Sequence, residues 1–487
     1  MKKVTIFPAI VCMFFLLWEL DAQSEYPEAM VGISHAYYTS FDSDNPFATK
    51  EMLDHIRREK FDLVLPLVMR EHKIDMWIHV TKDGDPDPLD LDLGGNIDFT
   101  VTDTLGYYIF TDRGGDRIER ALFGGSAERG LYDIFDTESK LRKFVEERDP
   151  KVIAVNMSKW LHAADGLSYM SYLRLTKVLG KKYTKRLISS ENVVTDFRVR
   201  RVQSEIIAFA NACEIQRQIQ EEAIGRIQPG ITKREDIGWW AEDQLILSAM
   251  VPRFGQNGRG PSVLYSEAMN LTKSKGTFGE TTVGFSSETR KPDYIYQRGD
   301  FLSWDWGVRY LNFGTDYKRN AYILKEGETK PPTGLQHAFN RGLEARKIIR
   351  KHIKIGIPAH EALEAIVIAM EKEGYVYTPY SDIGSIDKGI INALGENTKS
   401  GFSIDCHPLG NTGNGDTEPG ARLAPFSIHR QKFTIQSNHL FAFEYMVHTW
   451  IPEWEKRISI NFEDNHIVTN NGVEWLYPPN EKIIIIP

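Results

Sequence analysis

Apolar residues recur at helical spacing between Glu51 and Leu65, at Leu53, Ile56, Phe61 and Val64, and Pro66 is expected to end or kink that helix. Ile74-Asp75-Met76-Trp77-Ile78-His79-Val80 then reads as a strand, Ser139 to Arg148 as a helix and Val152 to Val155 as the next strand. Helices alternating with strands predict an α/β N-terminal domain built on a mixed sheet. A long charged helical region from Val199 to Ile227 stops at Pro229-Gly230, and helical spacing resumes from Lys233 to Ser248. Beyond Phe301 the pattern changes. Strand-like runs at Phe301–Tyr310, Asp316–Leu324, Leu440–Trp450 and Ile458–Val468 flank a helical middle from Leu335 to Gly374, which predicts an α+β domain. The expected division is residues 25–195 and 196–487.

A chain of 487 residues is too long for one ordinary core. The net charge of −8, without a long basic run, excludes the electrostatic footprint of a nucleic-acid binder. The N-terminus changes the picture more. Lys2 and Lys3 precede an apolar stretch from Ile6 to Trp18 and then Ala22, the pattern of a secretory signal over residues 1–22. That stretch is short for a bilayer, and no later segment is apolar enough to span one. The expectation is an exported protein, periplasmic or extracellular, with no stable membrane span after signal removal. Cys12 lies in the presumed signal, so Cys213 and Cys406 remain. Two cysteines cannot build a disulfide framework, and both read as small buried residues.

The candidate chemistry lies on two predicted hairpins. In Ser303-Trp304-Asp305-Trp306-Gly307, alternation puts Ser303, Asp305 and Gly307 on one face and both tryptophans on the other. Leu311-Asn312-Phe313-Gly314 supplies a turn, and Asp316 begins the return strand, eleven residues after Asp305. Near the C-terminus, Ala442, Glu444 and Met446 share a face opposite Phe441, Phe443 and Tyr445. After a turn at Ile451-Pro452-Glu453-Trp454, Ser459, Asn461 and Glu463 share the return face. Four inward carboxylates repel one another and are costly to desolvate, so they need positive charge. Arg309, Lys318 and Arg319 are near enough in sequence to supply it. A pair of divalent ions supplies it better, and prefers oxygen ligands with one imidazole, for which His407 is the candidate.

The order Asp, Asp eleven later, His, Glu, Glu resembles that of the pita-bread metallopeptidases, the family of methionine aminopeptidase, aminopeptidase P, prolidase and creatinase. The resemblance rests on Gly299 to Gly307, Thr315-Asp316, His407-Pro408-Leu409-Gly410, Phe443-Glu444 and Ile460-Asn461-Phe462-Glu463-Asp464. It implies a pita-bread catalytic domain behind a creatinase-like N-terminal α/β domain, closest in type to exported Xaa-Pro aminopeptidases. It also implies two divalent metal ions: Asp305 on one, Asp316 and Glu463 bridging both, His407 and Glu444 completing the other. Oxygen-rich ligation suits manganese first, with iron, cobalt or zinc compatible. In this family the metals polarise a peptide carbonyl and supply the nucleophile, and Glu444 handles the proton of the attacking water. The implied substrate is a short peptide, and a homodimer is left open.

Three positions depart from the family pattern. The histidine expected seven residues after His407 is Asn414, and the arginine expected two before Glu463 is Asn461. A second histidine is expected near Ser286 to Glu288, but none occurs between His162 and His337. Asn414 and Asn461 still donate hydrogen bonds, and His448, four residues past Glu444, is a candidate replacement. His429 and His439 lie in the same half of the domain. Two functions follow from these residues: a metal-dependent exopeptidase, or a weak or inactive homologue that binds peptide or a small ligand in the same pocket. A third, different hydrolysis on the same fold as in creatinase, fits less well, because creatinase discards metal ligands and keeps histidine.

Overall fold

The computed structural model describes residues 48–487 apart from 83–86, 98–104, 128–129, 249, 253–258, 268–281, 284–290, 383–384, 387–393, 395–398, 412–418 and 428. The presumed signal, Asn414 and the Ser286–Glu288 stretch fall outside the described residues.

The N-terminal half is a six-stranded mixed sheet. Its strands are β1 (Met76–Lys82), β2 (Leu105–Thr111), β3 (Glu119–Phe123), β4 (Ile134–Asp136), β5 (Ile153–Val155) and β6 (Leu187–Ser189), in spatial order β4-β3-β2-β1-β5-β6. Both faces are covered, so β1 and β2 read as nearly continuous apolar runs. One face carries Met76, Ile78, Tyr107 and Ile109 and packs under Leu141 and Phe144 of α3 (Glu138–Arg148) and Leu175 and Leu179 of α4 (Tyr169–Thr184). The other carries Trp77, Tyr108 and Phe110. It packs under a helical segment made of α1 (Ala48–Glu59), a π-helical stretch Lys60–Val64 and α2 (Leu65–Glu71), and under α5 (Glu191–Val199). Pro66 therefore does not end the helix. It sits in the first turn of α2, where a missing N–H is tolerated.

The C-terminal half opens with α6 (Gln203–Gly225) and α7 (Arg234–Leu247), followed later by α8 (Thr333–His352) and α9 (Ala359–Lys372). A four-stranded sheet orders β7 (Ser262–Tyr265), β9 (Phe301–Trp306), β10 (Tyr317–Ile323) and β19 (Ile484–Ile486). A five-stranded sheet orders β8 (Thr282–Val283), β16 (Lys456–Phe462), β15 (Tyr445–Ile451), β12 (Ser400–Ile404) and β11 (Tyr375–Tyr377). A second four-stranded sheet orders β13 (His407–Pro408), β14 (His439–Ala442), β17 (Asn465–Thr469) and β18 (Gly472–Trp475).

Helices cover the apolar faces of these sheets and leave polar faces inward. Leu302, Trp304 and Trp306 pack on Ala212 and Ile219 of α6 and Ile237 and Ala241 of α7. Two α6 side chains fix the strand: Gln216 Nε2 donates to Trp306 O and Gln220 Nε2 to Trp304 O, at 2.9 Å for the latter. On the other side, Tyr445, Val447, Ile460 and Phe462 pack on Leu335, Phe339 and Ile366 of α8 and α9. Gly342 lets α8 approach this sheet, since a Cβ there would lie 2.0 Å from the Phe462 ring. Among the described residues no helix is long and apolar enough to cross a membrane. Cys213 and Cys406 are both free and buried, as the composition suggested.

Candidate metal centre

The first hairpin forms as the alternation predicts. β9 and β10 are antiparallel with Asp305 directly opposite Lys318 and Ser303 opposite Asn320, so these four side chains share the face away from the tryptophans. Val308–Tyr310 and Phe313–Gly314 close the turn, with Leu311 at a φ of +52°. Asp316, just before β10, is buried and clamped by Asn465. The Asp316 N–H donates to Asn465 Oδ1 at 3.1 Å, and Asn465 Nδ2 donates back to Asp316 O.

The second hairpin also forms as the alternation predicts. Each long run is interrupted for two residues, Phe443-Glu444 between β14 and β15 and Glu463-Asp464 between β16 and β17, but the register does not change: Ala442 is opposite Asn465 and Tyr445 opposite Phe462, so Glu444 is opposite Glu463. β12 and β13 run alongside, also in one register, with Ser403 opposite Met446 and His407 opposite Ala442. The interruptions are bridged, because the Asp405 N–H donates to Glu444 O at 3.1 Å and the Phe443 N–H to Asp464 O at 2.8 Å. The Lys318 N–H donates to Glu463 O at 3.0 Å and docks the first hairpin on the second. The alternation carries through the interruption and turns Glu444 and Glu463 inward together.

The structure thus brings Asp305, Asp316, His407, Glu444 and Glu463 around one point. His407 Nε2 lies 3.3 Å from Glu463 Oε1, 3.6 Å from Glu444 Oε2 and 3.9 Å from Asp316 Oδ2. Donor atoms of Asp316, His407 and Glu463 all fall within 4.8 Å of one another, and all three residues are buried. Glu463 Oε1 is buried and accepts no hydrogen bond. Two carboxylates, one of them with an unsatisfied buried oxygen, and an imidazole suit one divalent cation.

On the far side of Glu444 and Glu463 stands Lys318, named from the sequence only as nearby positive charge. Its ammonium lies 2.9 Å from Glu444 Oε1 and 3.3 Å from Asp305 Oδ2, and hydrogen-bonds Glu463 Oε2. Burial would lower its pKa, but Asp305, Glu444, Glu463 and Asp316 outweigh that and hold it well above the ordinary lysine value. Burial would likewise raise the pKa of Glu444, yet Lys318 and His407 keep it well below the usual carboxylate range. For His407, burial would lower the pKa, but the Glu444 and Glu463 carboxylates beside it overcome that and lift it to about 10. Arg319 points the other way, as the alternation requires, pairing with Asp464 and Glu221, and Arg309 is exposed.

Asn461 lies on the inward face and donates to Glu444 Oε1 at 2.9 Å. His448 shares that face with Met446, as its spacing from Glu444 implies. It is fully buried, with Nδ1 2.7 Å from Ser459 Oγ and Nε2 3.1 Å from Ser403 Oγ, and burial lowers its pKa to about 3. His429 is exposed and stacked on Trp160, and His439 is packed against Phe441. Asn465 and Asp464 were missed by sequence reasoning, because nothing in their spacing separates a clamp from an ordinary strand residue.

The sequence pattern of metallopeptidase family M24 matches residues 208–470, more than half of the chain. The chain belongs to metallopeptidase family M24. Members of this family bind divalent metals, and the matched span contains all five candidate ligands. No curated protein matches the chain in sequence. Its fold is similar to that of an X-Pro aminopeptidase from Thermotoga maritima, at 16% identity and a TM-score of 0.56, covering 86% of this chain and 100% of that one. A variant of Escherichia coli aminopeptidase P gives 13% and 0.53, covering 86% and 94%. A Xaa-Pro dipeptidase from Bacillus anthracis gives 18% and 0.51, covering 90% and 100%. The M24 chain is therefore an α+β pita-bread catalytic domain preceded by an α/β domain.

Proposed function

We propose that this M24 protein is a metal-dependent exopeptidase acting on short peptides, of the Xaa-Pro aminopeptidase or prolidase type. The observation that carries the reading is the convergence of Asp316, His407 and Glu463 within 4.8 Å, with Glu444 beside them. These residues would hold a divalent ion, manganese by the oxygen-rich donor set. A bound ion there supplies Lewis acidity toward a peptide carbonyl and a nucleophile at neutral pH. Glu444 is the base. Its Oε1 is taken by Lys318 and Asn461, which leaves Oε2 to receive a proton from the attacking water. Asn461, and Asn414 and His448 with it, are proposed for the substrate side. The division near residue 195 and export after loss of residues 1–22 belong to the same reading, and N-terminal sequencing of exported protein should begin near Gln23.

Digestion of a peptide library with added manganese, cobalt or zinc, followed by mass spectrometry, tests this. Removal of single N-terminal residues and splitting of dipeptides are expected, enriched where the second residue is proline, and Glu444→Gln should abolish both. A second reading is favoured by Lys318 and by the missing histidines: a homologue that binds peptide or a small ligand with little or no turnover. A fully metallated protein that binds peptides and cleaves none would select it.

A further inference from the structure

Glu444 and Glu463 are each divided between two cation positions. Glu444 directs Oε1 to Lys318 Nζ at 2.9 Å and Oε2 to His407 Nε2 at 3.6 Å. Glu463 directs Oε2 to Lys318 Nζ and Oε1 to His407 Nε2 at 3.3 Å. One position is bounded by His407 and Asp316. The other is bounded by Asp305, and the Lys318 ammonium is in it.

We propose that the Lys318 ammonium takes the place of one of two metal ions, so that this centre is built for a single divalent cation on Asp316, His407 and Glu463. The inference rests on the metal-dependent reading above and departs from the two ions that the family resemblance implies.

Three features support it. The first is register. Lys318 is directly opposite Asp305 across the hairpin, so its side chain is delivered to the carboxylate face and cannot leave it without a slip of the strand. The second is valence. An ammonium has three N–H donors and no acceptor, and Lys318 Nζ is surrounded by oxygens of three carboxylates, Asp305, Glu444 and Glu463. The third is space. A small divalent ion binds carboxylate oxygen at about 2.0–2.2 Å. An ion reaching Asp305 together with Glu444 Oε1 or Glu463 Oε2 would overlap Nζ. The lysine side chain is enclosed, with 6% of it exposed, and its register holds it on the carboxylate face. Asp305 is then the ion-pair partner of Lys318, which agrees with its half-exposed side chain beside the buried or nearly buried Asp316, His407, Glu444 and Glu463.

The test counts ions without reference to turnover. Full-length protein is stripped with chelator and titrated with manganese, and bound metal is measured by elemental analysis and calorimetry. The expected result is one ion per chain for the native protein and two for Lys318→Ser, which opens the second position. Two ions in the native protein, none at all, or one ion in a folded Lys318→Ser protein would each overturn the proposal. If Lys318→Ser does not fold, Asp305→Asn decides. It should keep one ion at unchanged affinity, whereas loss of that ion would show Asp305 to be a ligand and overturn the proposal. A protein that holds one ion but cleaves no peptide would sink the hydrolase reading and support this one.

Discussion

Asn461 Nδ2 donates a 2.9 Å hydrogen bond to Glu444 Oε1, joining the inward face of one strand to the break in its neighbour. Asn461 thus fixes which oxygen of Glu444 faces the reaction. Partners that orient a metal-site residue are typically worth about 10–100-fold in activity or affinity. Asn461→Leu is therefore expected to lower kcat by about that factor with KM little changed. Steady-state kinetics on a cleaved dipeptide check this. Unchanged kcat, or a change in KM alone, would show that Asn461 does not position Glu444.

Asp464 is buried between two guanidinium groups, 2.9 Å from Arg319 Nη1 and 3.2 Å from Arg346 Nη1. Removing one partner of such a group leaves buried charge uncompensated, which typically costs about 3–5 kcal/mol. Asp464→Ala should lower the denaturant midpoint accordingly. A loss below about 1 kcal/mol would mean that water reaches these arginines.

Gly342 and Phe462 touch where α8 meets the five-stranded sheet. Gly342→Ala should destabilise the fold by about 1–3 kcal/mol through overpacking. Shortening the neighbour should relieve it, so Gly342→Ala is expected to cost less in a Phe462→Leu background. Strictly additive effects in that double-mutant cycle would count against the contact.

His448 and His466 are fully buried, and burial lowers both pKa values to about 3, with Arg457 and Arg350 adding smaller effects. An unfolded histidine titrates near 6.5, so between these values the unfolded chain binds more protons than the folded one. Stability is full above that range and falls as pH drops through it, by about 2 kcal/mol per histidine at pH 5. Melting temperature measured from pH 7.5 to 5 should decline, and His448→Gln should flatten the decline. An unchanged decline in His448→Gln would rule out neutral burial of that ring.

Much of the candidate site was legible because a strand's two-residue period separates faces without knowledge of the fold. Asp305, Glu444, Asn461 and Glu463 all lie inward as that period requires. The same period places Lys318 with Asp305 and turns Arg319 away, yet a count of nearby charges treated the two alike. The period also survives the two-residue interruption at Phe443-Glu444, where the Phe443 N–H donates to Asp464 O and the strands on either side keep one register. At Pro66 the helix does not end, but the α-helical pattern gives way just before it to the π-helical stretch, after which a helix restarts with proline in its first turn.

The unbroken register also constrains how the centre can move. His407, Glu444 and Glu463 lie on neighbouring strands stitched to one another through main-chain atoms, whereas Asp305 and Asp316 belong to the other hairpin. Neither set can be retuned one residue at a time. They behave as two jaws, and a slight tilt of one against the other would alter every distance across the gap together. Lys318, whose backbone grips one jaw while its side chain is seated on the face of the other, is the pin between them.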